Sequence, residues 1–176
     1  MVELTQFLPF TKIKVVILAH EPSCSRVDIS DSLNPKSNLS KEVLHSIGAK
    51  RTFDLLKKYH KQVIIVKDNP LLPFDPISCQ SRPLSFHTHT KECSFDRSIF
   101  DKNEPRNFFN SIIEKVAKDY DNISFIDLGS FLCDKNKCYA KIDDKNLYRD
   151  VSHLSTNGSE FVAPMLDDAI KKALEK

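Results

Sequence analysis

Hydrophobic residues along the chain alternate between short β-branched runs and stretches with helical spacing. The runs that read as buried strands are residues 12–19, 62–66 and 123–128. Apolar side chains that recur every three or four positions predict helices over residues 40–60, from residue 103 onward, and from residue 156 to the end. This order, with a loop before the last helix, is typical of an α/β fold with a mostly parallel sheet.

Between the second strand and the second helix lies a long segment without apolar periodicity. Residues 67–102 contain four prolines and are predicted to be irregular. Long irregular segments inside a compact domain are usually functional or covalently stapled. Three strands are few for a parallel sheet, which indicates that the front of the fold is incomplete.

Composition and charge favour one globular domain over residues 1–176. The chain has 26 basic and 24 acidic residues, a net charge of +2, and 40% hydrophobic residues. No dense basic stripe favours nucleic acid as a partner. No apolar run reaches the roughly 18 residues of a membrane span, so none is expected in this chain. The N-terminus lacks a basic region, so we expect no signal peptide and a cytoplasmic location if the chain is expressed alone.

Glycine and cysteine usage narrow the possible chemistry. The three glycines lie far apart, at Gly48, Gly129 and Gly158, which excludes a glycine-rich phosphate loop. Among five cysteines no Cys-x-x-Cys occurs, but two local pairs lie 14 and 5 residues apart. Disulfides, which imply an oxidising compartment, and free thiols are both compatible with this spacing. The five positions are Cys24, Cys79, Cys93, Cys133 and Cys138.

A metal-binding module is an alternative for the first cysteine pair. His87 and His89 lie between Cys79 and Cys93, and these four side chains are ligands that a tetrahedral zinc site could use. Their spacing matches no common zinc pattern. A non-enzymatic module stapled by disulfides or zinc therefore stays open beside an enzyme.

The candidate catalytic residues are Asp150 and His153, in the loop before the last helix. Open α/β sheets place their active sites at the carboxyl ends of strands, where this loop is expected. His153 is predicted to be a general base, with Asp150 fixing its tautomer. On spacing alone, a surface loop acid and a histidine that caps the next helix are the better explanation of the pair, and only its position in the chain favours catalysis. Ser23, in a turn beside Pro22, is a weaker candidate nucleophile because nothing links it to His153.

The position of this motif in the chain also supports a resemblance to a known protein family. The sequence resembles the SGNH hydrolase superfamily, and more narrowly the SGNH domain behind acyltransferase-3 type membrane O-acyltransferases of bacterial surface polysaccharides. The stretches that carry it are residues 14–19, 69–79, 125–138 and, most specifically, Leu147-Tyr-Arg-Asp-Val-Ser-His-Leu-Ser-Thr-Asn-Gly158. The resemblance implies a three-layer α/β/α, flavodoxin-like fold with Asp150 and His153 in a Ser-His-Asp triad.

The resemblance also implies substrates, partners and a compartment. Such domains act on acyl esters of sugars or polysaccharides and need no metal or organic cofactor. An upstream membrane acyltransferase polypeptide would be the partner, the periplasmic side of the inner membrane the location, and Cys79–Cys93 a disulfide.

Two family features are missing from this sequence. No Gly-Asp-Ser turn for the nucleophile occurs, and His20-Glu21-Pro22 stands where many members have an asparagine. We therefore expect an N-terminally truncated SGNH-like domain that lacks the first, nucleophile-bearing strand and is inactive alone. A remnant that a partner chain completes is the non-enzymatic form of the same idea.

Overall fold

In a computed structural model, the structure describes residues 12–19, 29–35, 38–79 and 93–175. The longer elements are β1 (Val15–Ala19), α1 (Lys41–Lys58), β2 (Gln62–Lys67), α3 (Glu104–Ala117), β4 (Ile123–Asp127) and α5 (Thr156–Leu174). The short ones are a 3-10 turn (Pro76–Cys79), β3 (Ser94–Asp96), α2 (Arg97–Asp101), α4 (Gly129–Leu132), β5 (Lys137–Tyr139), β6 (Lys141–Ile142) and β7 (Lys145–Asn146). None of the helices in these ranges is long and apolar enough to cross a membrane.

The chain divides into two compact units. Unit 1 comprises Met1–Lys67, Glu104–Ile126 and Ala169–Lys176. Unit 2 comprises Asp68–Asn103 and Asp127–Asp168. The expectation of one domain over residues 1–176 stays a prediction.

Unit 1 holds the main sheet, whose strand order is β1-β2-β4. β1 and β2 run parallel, from Val15 opposite Gln62 to Ala19 opposite Val66. The middle of β2 is buried, with Ile64 completely covered, as expected for a strand with neighbours on both edges. The predicted α/β fold with a mostly parallel sheet is therefore confirmed.

Helices α1 and α3 cover this sheet with apolar side chains spaced at helical intervals. The core of unit 1 joins α1 and α3 to β2 through Phe53, Leu56, Val63, Ile65, Ile113 and Ala117. Each large side chain buried in this way contributes roughly 1.5–3 kcal/mol. Helix α1 begins where the Ser40 hydroxyl accepts from the Val43 N–H, and it ends before His60, which has a positive φ of 53°.

An aromatic pair on α3 and a histidine on α1 show which faces of these helices turn toward the core of unit 1. Phe109 packs against the core of unit 1, but the adjacent Phe108 is 41% exposed. Adjacent helical residues differ by about 100° in direction, so only one of the two can face inward. His45 on α1 is half-buried, and its ring meets that of Phe109 edge-on at 5.4 Å.

The half-buried His45 makes the stability of unit 1 depend on pH. Burial, and then the charge of Lys41, lower the pKa of His45 below its ordinary value of 6.5. As the pH falls, His45 of the unfolded chain therefore binds a proton at a higher pH than His45 of the folded chain. The contribution of neutral His45 to the free energy of unfolding should be fully present above pH 6.5 and should be lost as the pH falls through the folded pKa. Replacing His45 with Phe should flatten this part of the profile, measured by urea denaturation between pH 7.5 and 5. Parallel profiles for both proteins would contradict the assignment.

Unit 2 contains the short elements and its own core. β3 and β5 pair antiparallel, with Phe95 opposite Cys138, and β6 and β7 form a small hairpin. Leu132, Cys138, Leu147 and Tyr148 are almost fully buried there. The expectation that residues 67–102 are irregular is wrong in part, because the 3-10 turn, β3 and α2 lie within them. These elements have three to five residues, which is too short for a periodic apolar signal.

Candidate active site

The loop between β7 and α5 is closed by its own backbone. Tyr148 and Leu154 form an isolated antiparallel bridge, and the Arg149 N–H donates to the His153 carbonyl at 2.9 Å. At the far end, the Ser155 hydroxyl accepts from the Gly158 N–H at 3.1 Å, which caps the start of α5. These bonds hold a short, defined turn at residues 149–153.

Asp150 and His153 meet inside this turn. His153 Nδ1 lies 2.9 Å from each carboxylate oxygen of Asp150, and the His153 backbone N–H donates to Asp150 Oδ1 at 2.8 Å. An ionised carboxylate can only accept, so the proton of a neutral imidazole belongs on Nδ1. Nε2 is then left with its lone pair and makes no hydrogen bond within the described ranges. This is the arrangement of a general base with an orienting acid.

Local hydrogen bonds keep Asp150 ionised. The backbone N–H groups of Ser152 and His153, with the side chains of the same two residues, hold the pKa of the Asp150 carboxyl well below its usual range. The side chains of His153 and Asp150 are 66% and 43% exposed, so the solvent can reach the pair. The carboxylate of Asp150 is therefore ionised at neutral pH.

Ser152, which the sequence did not single out, also contacts the pair. Its hydroxyl oxygen lies 3.1 Å from His153 Nδ1 and 3.2 Å from Asp150 Oδ1. Because Nδ1 already carries a proton that faces the carboxylate, it has no lone pair with which to deprotonate Ser152. The Ser152 hydroxyl thus supports the acid and is not an activated nucleophile.

A second loop of unit 2, directly after β2, holds the turn at residues 149–153 from outside. Asn69 Nδ2 donates to the Ser152 carbonyl at 3.0 Å, and the Leu72 N–H donates to the Val151 carbonyl at 2.8 Å. The buried Tyr148 hydroxyl donates to the Pro70 carbonyl at 2.8 Å, and burial raises the pKa of this phenol. No role is predicted for Asn69 from the sequence. It does follow a strand, and a position after a strand is the same kind of signal that pointed to Asp150 and His153.

The cysteines of unit 2 lie in the two predicted pairs. The sulfur atoms of Cys79 and Cys93, and those of Cys133 and Cys138, are at disulfide distance, with Cα atoms 5.6 and 3.9 Å apart. A disulfide between Cys79 and Cys93 would leave neither sulfur available as a thiolate ligand, and the zinc alternative needs both. Among the residues that the structure describes, no group of three or more acidic, histidine or cysteine side chains could hold a metal ion.

Several candidates lie outside the described residues. These are His20-Glu21-Pro22, Ser23, Cys24, His87 and His89. Their predicted roles stay predictions, and so does the catalytic role of the Asp150–His153 pair.

The fold and the loop together define an α/β protein with a preformed aspartate–histidine pair just before its last helix. Over residues 6–168, the sequence matches the family described as the SGNH domain fused to AT3 domains. The chain therefore belongs to this SGNH family, as its resemblance implied. A search of curated proteins gives no match.

Proposed function

We propose that this chain supplies the acid–base pair of an SGNH-type acyltransferase or acyl esterase that acts on acyl esters of sugars. The observation that carries the proposal is the contact of Asp150 with His153 Nδ1, which leaves Nε2 free to accept a proton. The family context adds an AT3-type membrane acyltransferase as the polypeptide with which such a module works. Acylated polysaccharide at the periplasmic side of the inner membrane is the substrate and location that fit that context.

The proposed reaction follows from the position of the free nitrogen. A serine hydroxyl at Nε2 would attack the acyl carbonyl while its proton passes to Nε2, and Asp150 would stabilise the imidazolium. The tetrahedral intermediate would then release the sugar oxygen, which takes the proton back from Nε2. The acyl-serine would pass its acyl group to a sugar hydroxyl or to water by the same steps.

The nucleophile is the part that we propose comes from another segment. The 176 residues contain no Gly-Asp-Ser turn, and the described serine nearest to the imidazole, Ser152, lies at Nδ1. We therefore expect the chain alone to be inactive and to gain activity when a polypeptide supplies the nucleophile strand.

Hydrolysis of p-nitrophenyl acetate tests the proposal. The chain alone should show no more turnover than its His153→Ala variant. Combined with a membrane acyltransferase polypeptide that bears the Gly-Asp-Ser segment, it should turn over ester, and His153→Ala should remove at least about 10³-fold of that rate. His60→Ala, a substitution at an exposed histidine, is the matched control and should leave the rate unchanged.

Two other outcomes would overturn parts of the proposal. Turnover by the chain alone that His153→Ala abolishes would mean that it holds its own nucleophile, and fluorophosphonate labelling of Ser23 would identify it. Turnover in the combined system that is indifferent to His153→Ala would refute the role of the pair. A complex that binds but never turns over ester would favour a non-enzymatic module.

A further inference from the structure

Two consecutive peptide units direct their N–H groups at the Asp150 carboxylate. The unit that joins Val151 to Ser152 donates through the Ser152 N–H at 2.9 Å, and the next unit donates through the His153 N–H at 2.8 Å. Both bonds end on the same oxygen, Oδ1. Since a peptide unit is planar, the direction of each N–H is fixed once its carbonyl is fixed.

The carbonyl ends of the same two units are held by the neighbouring loop. The Val151 carbonyl accepts from the Leu72 N–H, and the Ser152 carbonyl accepts from Asn69 Nδ2. Asn69 is 9% exposed, and its amide nitrogen also lies 3.3 Å from the Pro70 carbonyl. Two carbonyl oxygens within reach identify this atom as the donating nitrogen and not the amide oxygen.

We propose that Asn69 is a positioning residue for the Asp150–His153 pair. Its amide fixes the plane of the Ser152–His153 peptide unit, whose N–H binds Asp150. An accepted hydrogen bond at the carbonyl also polarises the unit and strengthens its N–H as a donor. The imidazole then meets a carboxylate in one fixed orientation, which keeps the neutral ring in its Nδ1–H form. The importance of this for catalysis rests on the proposed function, but the structural role does not.

The His153 tautomer tests the proposal without any activity. In Asn69→Ala, the ratio of Nδ1–H to Nε2–H imidazole at pH 8, read from long-range ¹H–¹⁵N spectra, should fall by about five- to tenfold, the equivalent of one ordinary hydrogen bond. Amide exchange of Ser152 and His153 should quicken by a similar factor. An unchanged tautomer ratio in a folded Asn69→Ala variant would overturn the proposal.

Asn122→Ala is the matched control. Asn122 Nδ2 donates to the Lys61 carbonyl at 2.8 Å in unit 1, so this variant also loses one amide-to-carbonyl bond. Both variants should lose stability, but the His153 spectrum should respond only to the substitution of Asn69. An equal response of that spectrum to both variants would mean that Asn69 acts only through general stability.

The wild-type chain provides a test that does not depend on how the variant folds. A scalar coupling should connect the Asn69 side-chain nitrogen to the Ser152 carbonyl carbon across the hydrogen bond, and its absence would overturn the proposal. The two proposals also fail separately. If Asn69→Ala lowers the tautomer ratio as expected but the combined system turns over no ester, only the proposed function is refuted. If the combined system turns over ester but Asn69→Ala leaves the tautomer ratio unchanged, only the positioning role is refuted.

Discussion

Replacing Gly158 with alanine should destabilise the chain by about 3 kcal/mol, at the upper end of the usual cost of overpacking. Gly158 lies in the first turn of α5, where an added Cβ would come within 2.8 Å of the Leu147 carbonyl carbon and still closer to its oxygen. That carbonyl already accepts from the Ser155 N–H at 2.9 Å, so it cannot move away freely. Because Leu147 leads directly into Tyr148 and the turn at residues 149–153, relief of the clash should also disturb Asp150 and His153.

Gly48→Ala is the control for this substitution. Gly48 lies inside α1, and a Cβ there would meet nothing within 4 Å. The helix preference for alanine should then raise the free energy of unfolding by about 1 kcal/mol. Urea denaturation of the three proteins, analysed with a common m-value, gives both changes. A Gly158→Ala variant within about 0.5 kcal/mol of wild type would contradict the close approach, since that is the range of neutral surface substitutions.

Loss of the Cys79–Cys93 bridge should have an effect of similar size. With a sequence separation of 14, the closed loop restricts the unfolded chain enough to contribute about 3 kcal/mol in the chain-entropy model. The double variant Cys79→Ala/Cys93→Ala should lose roughly this much in urea denaturation under non-reducing conditions. Selective reduction of this bridge in the wild-type protein should lower the free energy of unfolding by the same amount.

The second bridge provides the comparison. Cys133 and Cys138 are separated by 5, so their double alanine variant should lose less through loop closure, about 2 kcal/mol. Thiol titration of the unfolded, unreduced protein should count one free cysteine of five. Three free thiols, with stability lost to a chelator, would instead support the zinc alternative for Cys79 and Cys93.

The sequence predicts the long elements well because each carries its own signal. Strands β1, β2 and β4 are runs of β-branched residues, and α1 and α5 repeat their apolar positions over four or more turns. The short elements of unit 2 carry no such signal. The start of α2, for example, depends on the Asp96 side chain, which accepts from the Ser98 N–H at 2.7 Å. A cap of this kind is too common in loops to predict a helix of five residues.

The same distinction explains what could be predicted of the site. Asp150 and His153 are three residues apart, so one turn can bring them together and a sequence pattern can reveal them. Asn69 and Ser152 are separated by 83 residues, and their bond depends on how two loops fold against each other. Gly158 is an intermediate case. The sequence motif shows that a glycine stands there, but the reason for it, the close approach of the Leu147 carbonyl, is visible only in the structure.

The low pKa of Asp150 has a consequence for the order in which an active site could be assembled. N–H groups from its own turn stabilise the charge of the carboxylate, so the acid that orients His153 is ionised before any hydroxyl arrives. On the proposed function, an incoming serine segment would meet a pair already held by hydrogen bonds, so the entropy cost of docking would fall mainly on that segment. On the proposed function, activity would then depend on the delivery of that one segment.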